Sequence, residues 1–152
     1  TVPVVAHAIR ACAEAGWVFE KVCCIYPGVP MLQPSDLQAG LRILDQGLSA
    51  YAFPVVPFPS PIQRALRRAD DGTTRPFHPE YVTTRTQDLE PAYHDAGQFY
   101  WGHAQAWLDG LQLHAHGATL VLPEWRVVDI DTPADWVRAE ALYEALSRRT
   151  LA

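Results

Sequence analysis

Apolar residues recur at helical spacing from Pro3 to Ala15, with Val4, Val5, Ala8, Ile9 and Cys12 on one face, Thr1 ahead of them as a cap and Gly16 as the stop. Trp17 to Tyr26 is rich in Val, Phe, Cys and Ile and closes on Pro27-Gly28, the pattern of a buried strand and a loop. Ser35-Asp36-Leu37-Gln38 has the form of a capping box ahead of Leu37, Leu41 and Leu44, and predicts a helix from Asp36 to about Gln46. Ala50 to Val56 reads as a second strand, before Pro54, Pro57, Pro59 and Pro61 interrupt regular structure.

Periodicity then fades. From Pro57 to Tyr93 the chain is rich in proline and charge, too long for a simple loop, and reads as an excursion from the main sheet with Asp71-Gly72 as a hairpin turn. Order returns with a strand at Gln98-Phe99-Tyr100-Trp101, a short helix from Gly102 to Leu108, and strands at Ala118 to Leu122 and Arg126 to Ile130. A last helix runs from Pro133 to about Leu146, with proline at its first position and Thr132 as its cap. Alternating strands and helices predict an α/β fold with a mixed, mostly parallel sheet. Ligands then belong at the carboxyl ends of the strands, in the loops after Tyr26, Val56, Trp101 and Ile130.

The 152 residues suit one domain, and 49% hydrophobic against 19% charged residues suits a globular one. A net charge of −5 argues against nucleic acid as a partner. The one dense basic cluster, Arg64, Arg67 and Arg68, is followed at once by Asp70 and Asp71 and reads as a solvated helix face. No apolar run is long enough to span a membrane. Cys12, Cys23 and Cys24 cannot form an even disulfide set, as expected of buried thiols in a reducing cytoplasm. The chain opens at Thr1, without methionine or leader, as a segment of a longer protein would.

Candidate chemistry concentrates in Val128-Asp129-Ile130-Asp131-Thr132-Pro133. In extended backbone, residues i and i+2 share a side, so Asp129 and Asp131 can face one divalent cation, and oxygen ligands suit magnesium. Alternatively Asp131 or Thr132 only caps the helix while Asp129 is solvated; spacing leaves both readings open. Gln98-Phe99-Tyr100-Trp101-Gly102 offers an aromatic wall beside a permissive backbone, or simply core. His114 and His116, with His103 upstream, form a much weaker metal pattern, since His114-Ala115-His116-Gly117 has the composition of a turn, where solvent-exposed histidines need no ligand. No Gly-x-Ser-x-Gly elbow, P-loop or dinucleotide fingerprint is present.

Three stretches in order, Arg85-Thr86-Gln87-Asp88-Leu89, Tyr93-His94-Asp95-Ala96-Gly97-Gln98-Phe99-Tyr100-Trp101-Gly102, and Asp129-Ile130-Asp131-Thr132-Pro133-Ala134-Asp135-Trp136 with Ala139-Glu140, resemble the acylneuraminate cytidylyltransferase family. Gln98 to Gly102 and Pro61-Ile62-Gln63-Arg64-Ala65-Leu66 are more similar to its CMP-pseudaminic acid branch than to its CMP-sialic acid branch. The resemblance implies a three-layer α/β/α, Rossmann-like nucleotide-diphospho-sugar transferase fold. It also implies a homodimer with 57–93 as the arm, and transfer of CMP from CTP to the anomeric hydroxyl of a nonulosonic acid. Asp129 and Asp131 would hold Mg2+ and be catalytic, Asp131 the more direct ligand. Arg85 would bind the sugar carboxylate or a phosphate, and Gln87, Gln98, Phe99 and Tyr100 would line the sugar pocket. Tyr26 opens a loop, Tyr26-Pro27-Gly28-Val29-Pro30, that stands where the family has a Pro-Thr-Ala-Pro type substrate loop. The family's Ala-Arg-Gly-Gly-Ser-Lys-Arg phosphate loop has no counterpart here. The resemblance therefore implies the carboxy-terminal two-thirds of such an enzyme, inactive in isolation; a non-catalytic module of the same fold and a KDO-type cytidylyltransferase are its rivals.

Overall fold

A computed structural model describes residues 1–150, with side chains over 1–146. Its elements are α1 (Val2–Glu14), β1 (Lys21–Ile25), α2 (Pro34–Asp45), β2 (Tyr51–Pro57), β3 (Leu66–Arg68), β4 (Thr74–Pro76), β5 (Tyr93–Asp95), β6 (Phe99–His103), α3 (Ala104–Leu108), β7 (Gly117–Val121) and α4 (Pro133–Thr150). The fold is α/β, but the sheet corrects the expectation of mostly parallel strands. β6 lies between β1 and β2 and runs antiparallel to both, and β5 continues it along β2, also antiparallel. Among the described residues, only β2 and β7 pair in parallel, from Tyr51 opposite Gly117 to Val55 opposite Val121. The composition of a buried parallel strand and of a buried antiparallel one is the same, so apolar runs alone do not set direction.

Each face of the sheet carries helix. Tyr51, Phe53, Val55 and Tyr100 point to one side, where Val5 and Ile9 of α1 and Ala106 and Trp107 at α3 complete a cluster. Tyr51 and Trp107 are fully buried with rings edge-on at 4.8 Å, and the Tyr51 hydroxyl donates to the Ala106 carbonyl at 2.8 Å. Phe99 and Trp101 point to the other side, under α2. Gly40 makes that approach possible: a Cβ there would lie 2.7 Å from Phe99 Cε2 and 3.1 Å from Trp101 Cδ1. The indole of Trp101 donates to the Leu37 carbonyl at 2.9 Å.

Several expected boundaries move. α2 starts at Pro34 with Gln33 as its cap and no side-chain cap bond, so Ser35 does not act as a capping box. Arg126 to Ile130 forms no strand: a 3₁₀ turn at Glu124–Arg126 leads into unpaired extended backbone. The Asp71-Gly72 turn does join a hairpin, β3 with β4. The basic cluster is not a helix face, because Arg64 closes a 3₁₀ turn and donates to the Thr84 carbonyl, while Arg67 on β3 stacks over Phe77. Residues 58–92 are mostly exposed, including Phe58, Ile62, Leu66, Phe77 and Val82. The three cysteines are free thiols, half-buried rather than buried. No helix among the described residues is long and apolar enough to cross a membrane.

Candidate active site

β1, β2 and β7 all finish at one end of the sheet, and because β6 is antiparallel, its start at Gln98–Phe99 lies at that same end. The loop after Trp101 therefore falls at the opposite end, a correction to the expectation that it borders the site. The loops after Tyr26 and Val56 do reach it, and the stretch that follows β7 completes it.

Two clefts open there, one on each side of β5, and His94 and Asp95 line both. The first, about 410 Å³, is lined by Val56, Ala96, Gly97, Glu124, Asp129 and Arg138 among others. The second, about 500 Å³, has Phe53, Val55 and Tyr93 as walls and His114 and Thr119 as polar groups. Both volumes fall in the range of small-molecule sites.

Asp129 reaches the first cleft because of what surrounds it in sequence. Val128 is buried and packs with Met31 and Ala139, and Ile130 is partly buried in the same cluster, so their neighbours Asp129 and Asp131 face outward. The preceding turn is anchored by a buried ion pair, Arg126 Nη2 to Asp36 Oδ2 at 2.8 Å. The Gln98 amide donates to the Arg126 carbonyl at 2.9 Å. After it, Thr132 caps α4: its hydroxyl and N–H both donate to the Asp135 carboxylate, at 2.7 and 2.9 Å. These bonds hold the Asp135 carboxyl below its ordinary range, the side-chain bond from Thr132 contributing most. The capping is thus done by Thr132 and Asp135, and it leaves the Asp131 carboxylate out of the helix hydrogen bonds, with only its N–H engaged at 3.3 Å.

Neither Asp129 nor Asp131 has a side-chain hydrogen bond or ion pair among the described residues. Two exposed carboxylates with free oxygens suit a hard divalent cation whose remaining positions go to water and phosphate. No group of three or more His, Cys, Asp or Glu side chains that could hold a metal ion gathers among the described residues.

The other expected site residues divide. Tyr26 is half-buried, its ring 5.2 Å from that of Tyr100 and its hydroxyl bonded to Thr1. Gln98, Phe99 and Tyr100 are buried at 1%, 0% and 4% exposure, so they support the site from beneath. Arg85 and Gln87 are exposed on the excursion and line neither cleft.

Sequence reasoning passed over Asp95. Its Oδ1 accepts the Gly97 N–H at 2.8 Å, across a turn that Gly97 allows by its φ of 65°. Its Oδ2 accepts the Tyr100 hydroxyl at 2.8 Å and meets His114 Nε2 at 2.7 Å. Burial, and then the Asp95 carboxylate, push the Tyr100 phenol well above its ordinary range. His114 is thus not paired with His116, whose Nδ1 lies 3.1 Å from the Gln112 carbonyl. The available signal was the Asx-turn form of Asp95-Ala96-Gly97; the partner nineteen residues on was not readable from spacing.

No protein-family model matches the chain. It is 35% identical over 142 residues, 93% of the chain and 61% of the relative, to a pseudaminic acid cytidylyltransferase of Campylobacter jejuni subsp. jejuni serotype O:2. It is also 35% identical over 141 residues, 92% and 61%, to the protein of that name from serotype O:23/36. A Helicobacter pylori protein named pseudaminic acid cytidylyltransferase and UDP-2,4-diacetamido-2,4,6-trideoxy-beta-L-altropyranose hydrolase is 36% identical over 85 residues, 55% of the chain and 16% of the relative. The chain spans about three fifths of the length of the two Campylobacter relatives.

Proposed function

From a chain that is by sequence a relative of the pseudaminic acid cytidylyltransferases, bearing out the resemblance of its motifs, we propose the carboxy-terminal part of an enzyme that transfers CMP from CTP to a nonulosonic acid. The observation that carries this reading is the similarity along 93% of the chain, which takes in every stretch from Arg85 to Glu140 that bears the motifs. The finer fold it implies is the three-layer nucleotide-diphospho-sugar transferase arrangement, of which α1 and α3 on one face and α2 on the other would be the flanking layers. The cell compartment it implies is the cytoplasm, and the assembly a homodimer, with the exposed apolar residues of 57–93 covered by the second subunit.

The two clefts suit two substrates. The one bearing Asp95, Glu124, Asp129, His94 and Arg138 is the more charged, and with a cation offsetting its carboxylates it would suit the triphosphate; the one walled by Phe53 and Tyr93 suits a sugar ring, whose apolar face packs on aromatic side chains. Asp129 and Asp131 would hold Mg2+, with Asp131 the more direct ligand. Bound there, the ion would neutralise phosphate charge and stabilise the departing pyrophosphate. The chain's own residues position: Arg85, which lines neither cleft of its own chain and has no ion-pair partner among the described residues, would bind the sugar carboxylate or a phosphate from the arm of a second subunit, through two parallel hydrogen bonds. Gln87, two residues on, would serve the same sugar pocket, and the buried Gln98, Phe99 and Tyr100, with Tyr26 packed against Tyr100, would support that pocket from beneath.

Incubating the full-length protein with CTP, magnesium and a panel of nonulosonic acids should release pyrophosphate with at least one of them. Turnover with none would overturn the enzyme reading and favour a non-catalytic module; turnover with a KDO-like acid alone would move the substrate. Asp131→Asn should abolish magnesium-dependent turnover while the far-ultraviolet circular dichroism stays unchanged, and near-normal activity at saturating magnesium would remove Asp131 from the mechanism.

A further inference from the structure

The second cleft contains a histidine whose chemistry is set by its surroundings. His114 sits on an exposed turn, and its ring stands edge-on to Phe53 with centroids 5.3 Å apart. Gly117 lets that turn close over the strand, since a Cβ there would lie 2.3 Å from Phe53 Cε1. One imidazole nitrogen, Nε2, is 2.7 Å from Asp95 Oδ2. An ionised carboxylate only accepts, so in the neutral ring Nε2 carries the hydrogen and Nδ1 is left with the free lone pair, on a side chain that lines the cleft. Asp95 itself cannot swing away, because the Tyr100 hydroxyl and the Gly97 N–H hold both of its oxygens.

A base oriented by a fixed carboxylate is the arrangement that activates hydroxyl nucleophiles elsewhere in enzyme chemistry. Asp95 also lines the cleft of Asp129, and Asp129 Oδ2 comes within 3.9 Å of where a Gly97 Cβ would be, so the two carboxylates flank one glycine. The other histidine shared by the clefts is differently engaged. His94 Nδ1 is 2.9 Å from the Asp95 carbonyl, and its ring packs edge-on against Phe58 at 5.0 Å, without an ion pair to a carboxylate among the described residues.

We propose that His114, aimed by Asp95, is the proton acceptor for the sugar hydroxyl that attacks the nucleotide. The inference rests on the cytidylyl-transfer reading. The hydroxyl proton passes to His114 Nδ1 as the oxygen bonds to the α-phosphorus; the bond to the bridging oxygen breaks, and pyrophosphate leaves with that electron pair. Asp95, a positioning residue, stabilises the imidazolium.

The test uses the full-length protein with CTP, magnesium and the sugar acid it accepts. His114→Ala should lower kcat by about 10²–10⁴-fold with KM for CTP little changed, and added free imidazole should restore part of the loss. Asp95→Asn should lower kcat comparably, because the amide can donate to Nε2 and so place the hydrogen on Nδ1. A His114→Ala enzyme within threefold of wild type, or an equal loss that imidazole leaves untouched, overturns the assignment while the cytidylyltransferase reading stands. Absence of turnover in the wild type sinks both.

Discussion

The segment carrying Asp129 is held by one buried ion pair, and removing half of it should be costly. Arg126 and Asp36 side chains are only 12% and 11% exposed, and their closest atoms are 2.8 Å apart. With an effective dielectric constant of about 20, attraction at that distance is about 6 kcal/mol, and the desolvation of both groups offsets much of it. Arg126→Met keeps the volume and the main-chain bond from Gln98, but strands the Asp36 carboxylate at 8% residue exposure. Breaking a buried pair from one side costs about 3–5 kcal/mol, a large share of a domain's total stability of about 5–15 kcal/mol. Urea unfolding followed by tryptophan fluorescence measures it directly. The double variant Asp36→Leu with Arg126→Met removes both charges and should recover most of the loss. A single variant within about 1 kcal/mol of wild type, or a double variant as damaged as the single, would show that the pair is too well hydrated for this reasoning.

Gly40→Ala should destabilise despite the helix propensity it gains, because the added methyl meets the buried Phe99 ring at 2.7 Å. Overpacking costs of about 1–3 kcal/mol exceed the propensity gain of about 1 kcal/mol at their upper end, and a higher melting temperature in calorimetry would contradict the close packing of α2 on β6. Cys23 should resist iodoacetamide at neutral and mildly alkaline pH, since burial, and secondarily Cys24, raise its thiol from 9.0 to about 12. The sign follows: the native thiol keeps its proton where an unfolded one loses it, so this contribution to stability is complete below pH 9 and declines as pH rises towards 12. Peptide mapping that finds Cys23 labelled as fast as Cys12 at pH 8 would refute it.

Much of this was legible in the chain because local chemistry and tertiary structure agree. Thr132-Pro133 announced the start of α4, and Asp71-Gly72 announced the hairpin, since a cap and a tight turn are decided by a few adjacent residues. The strand runs around Cys23, Phe53, Tyr100 and Leu120 were visible for the same reason. Direction was not, because KVCCI and FYWGH carry no mark of which way they run in a sheet. Pairing at the Arg126 to Ile130 stretch was misjudged because Val127, Val128 and Ile130 are β-prone, yet packing against α4 and Met31, not a neighbouring strand, is what consumes Val128 and Ile130, and Val127 lines the first cleft. At the site, the outward placement of Asp129 and Asp131 followed from alternation, whereas the link between Asp95 and His114 depends on how far β7 brings its preceding turn over Phe53.

The antiparallel course of β6 is what lets so short a sheet gather this much chemistry at one end. Had the strand between β1 and β2 run parallel to them, its last residues, Gly102 and His103, would meet Tyr26, Val56 and Asp129. Reversed, it presents its first ones, and the preceding stretch from Tyr93 to Gln98 becomes both the rim that the two clefts share and the source of Asp95. Position along this one segment therefore sorts residues by role. At the far end, a Cβ on Gly102 would lie 2.4 Å from Trp107 Nε1 and 2.6 Å from Tyr51 Cδ1, so substitution there is paid in packing. At the near end, Asp95 and Gly97 are held by polar bonds to Tyr100, to His114 and to each other, so substitution there disturbs orientation before it disturbs the core.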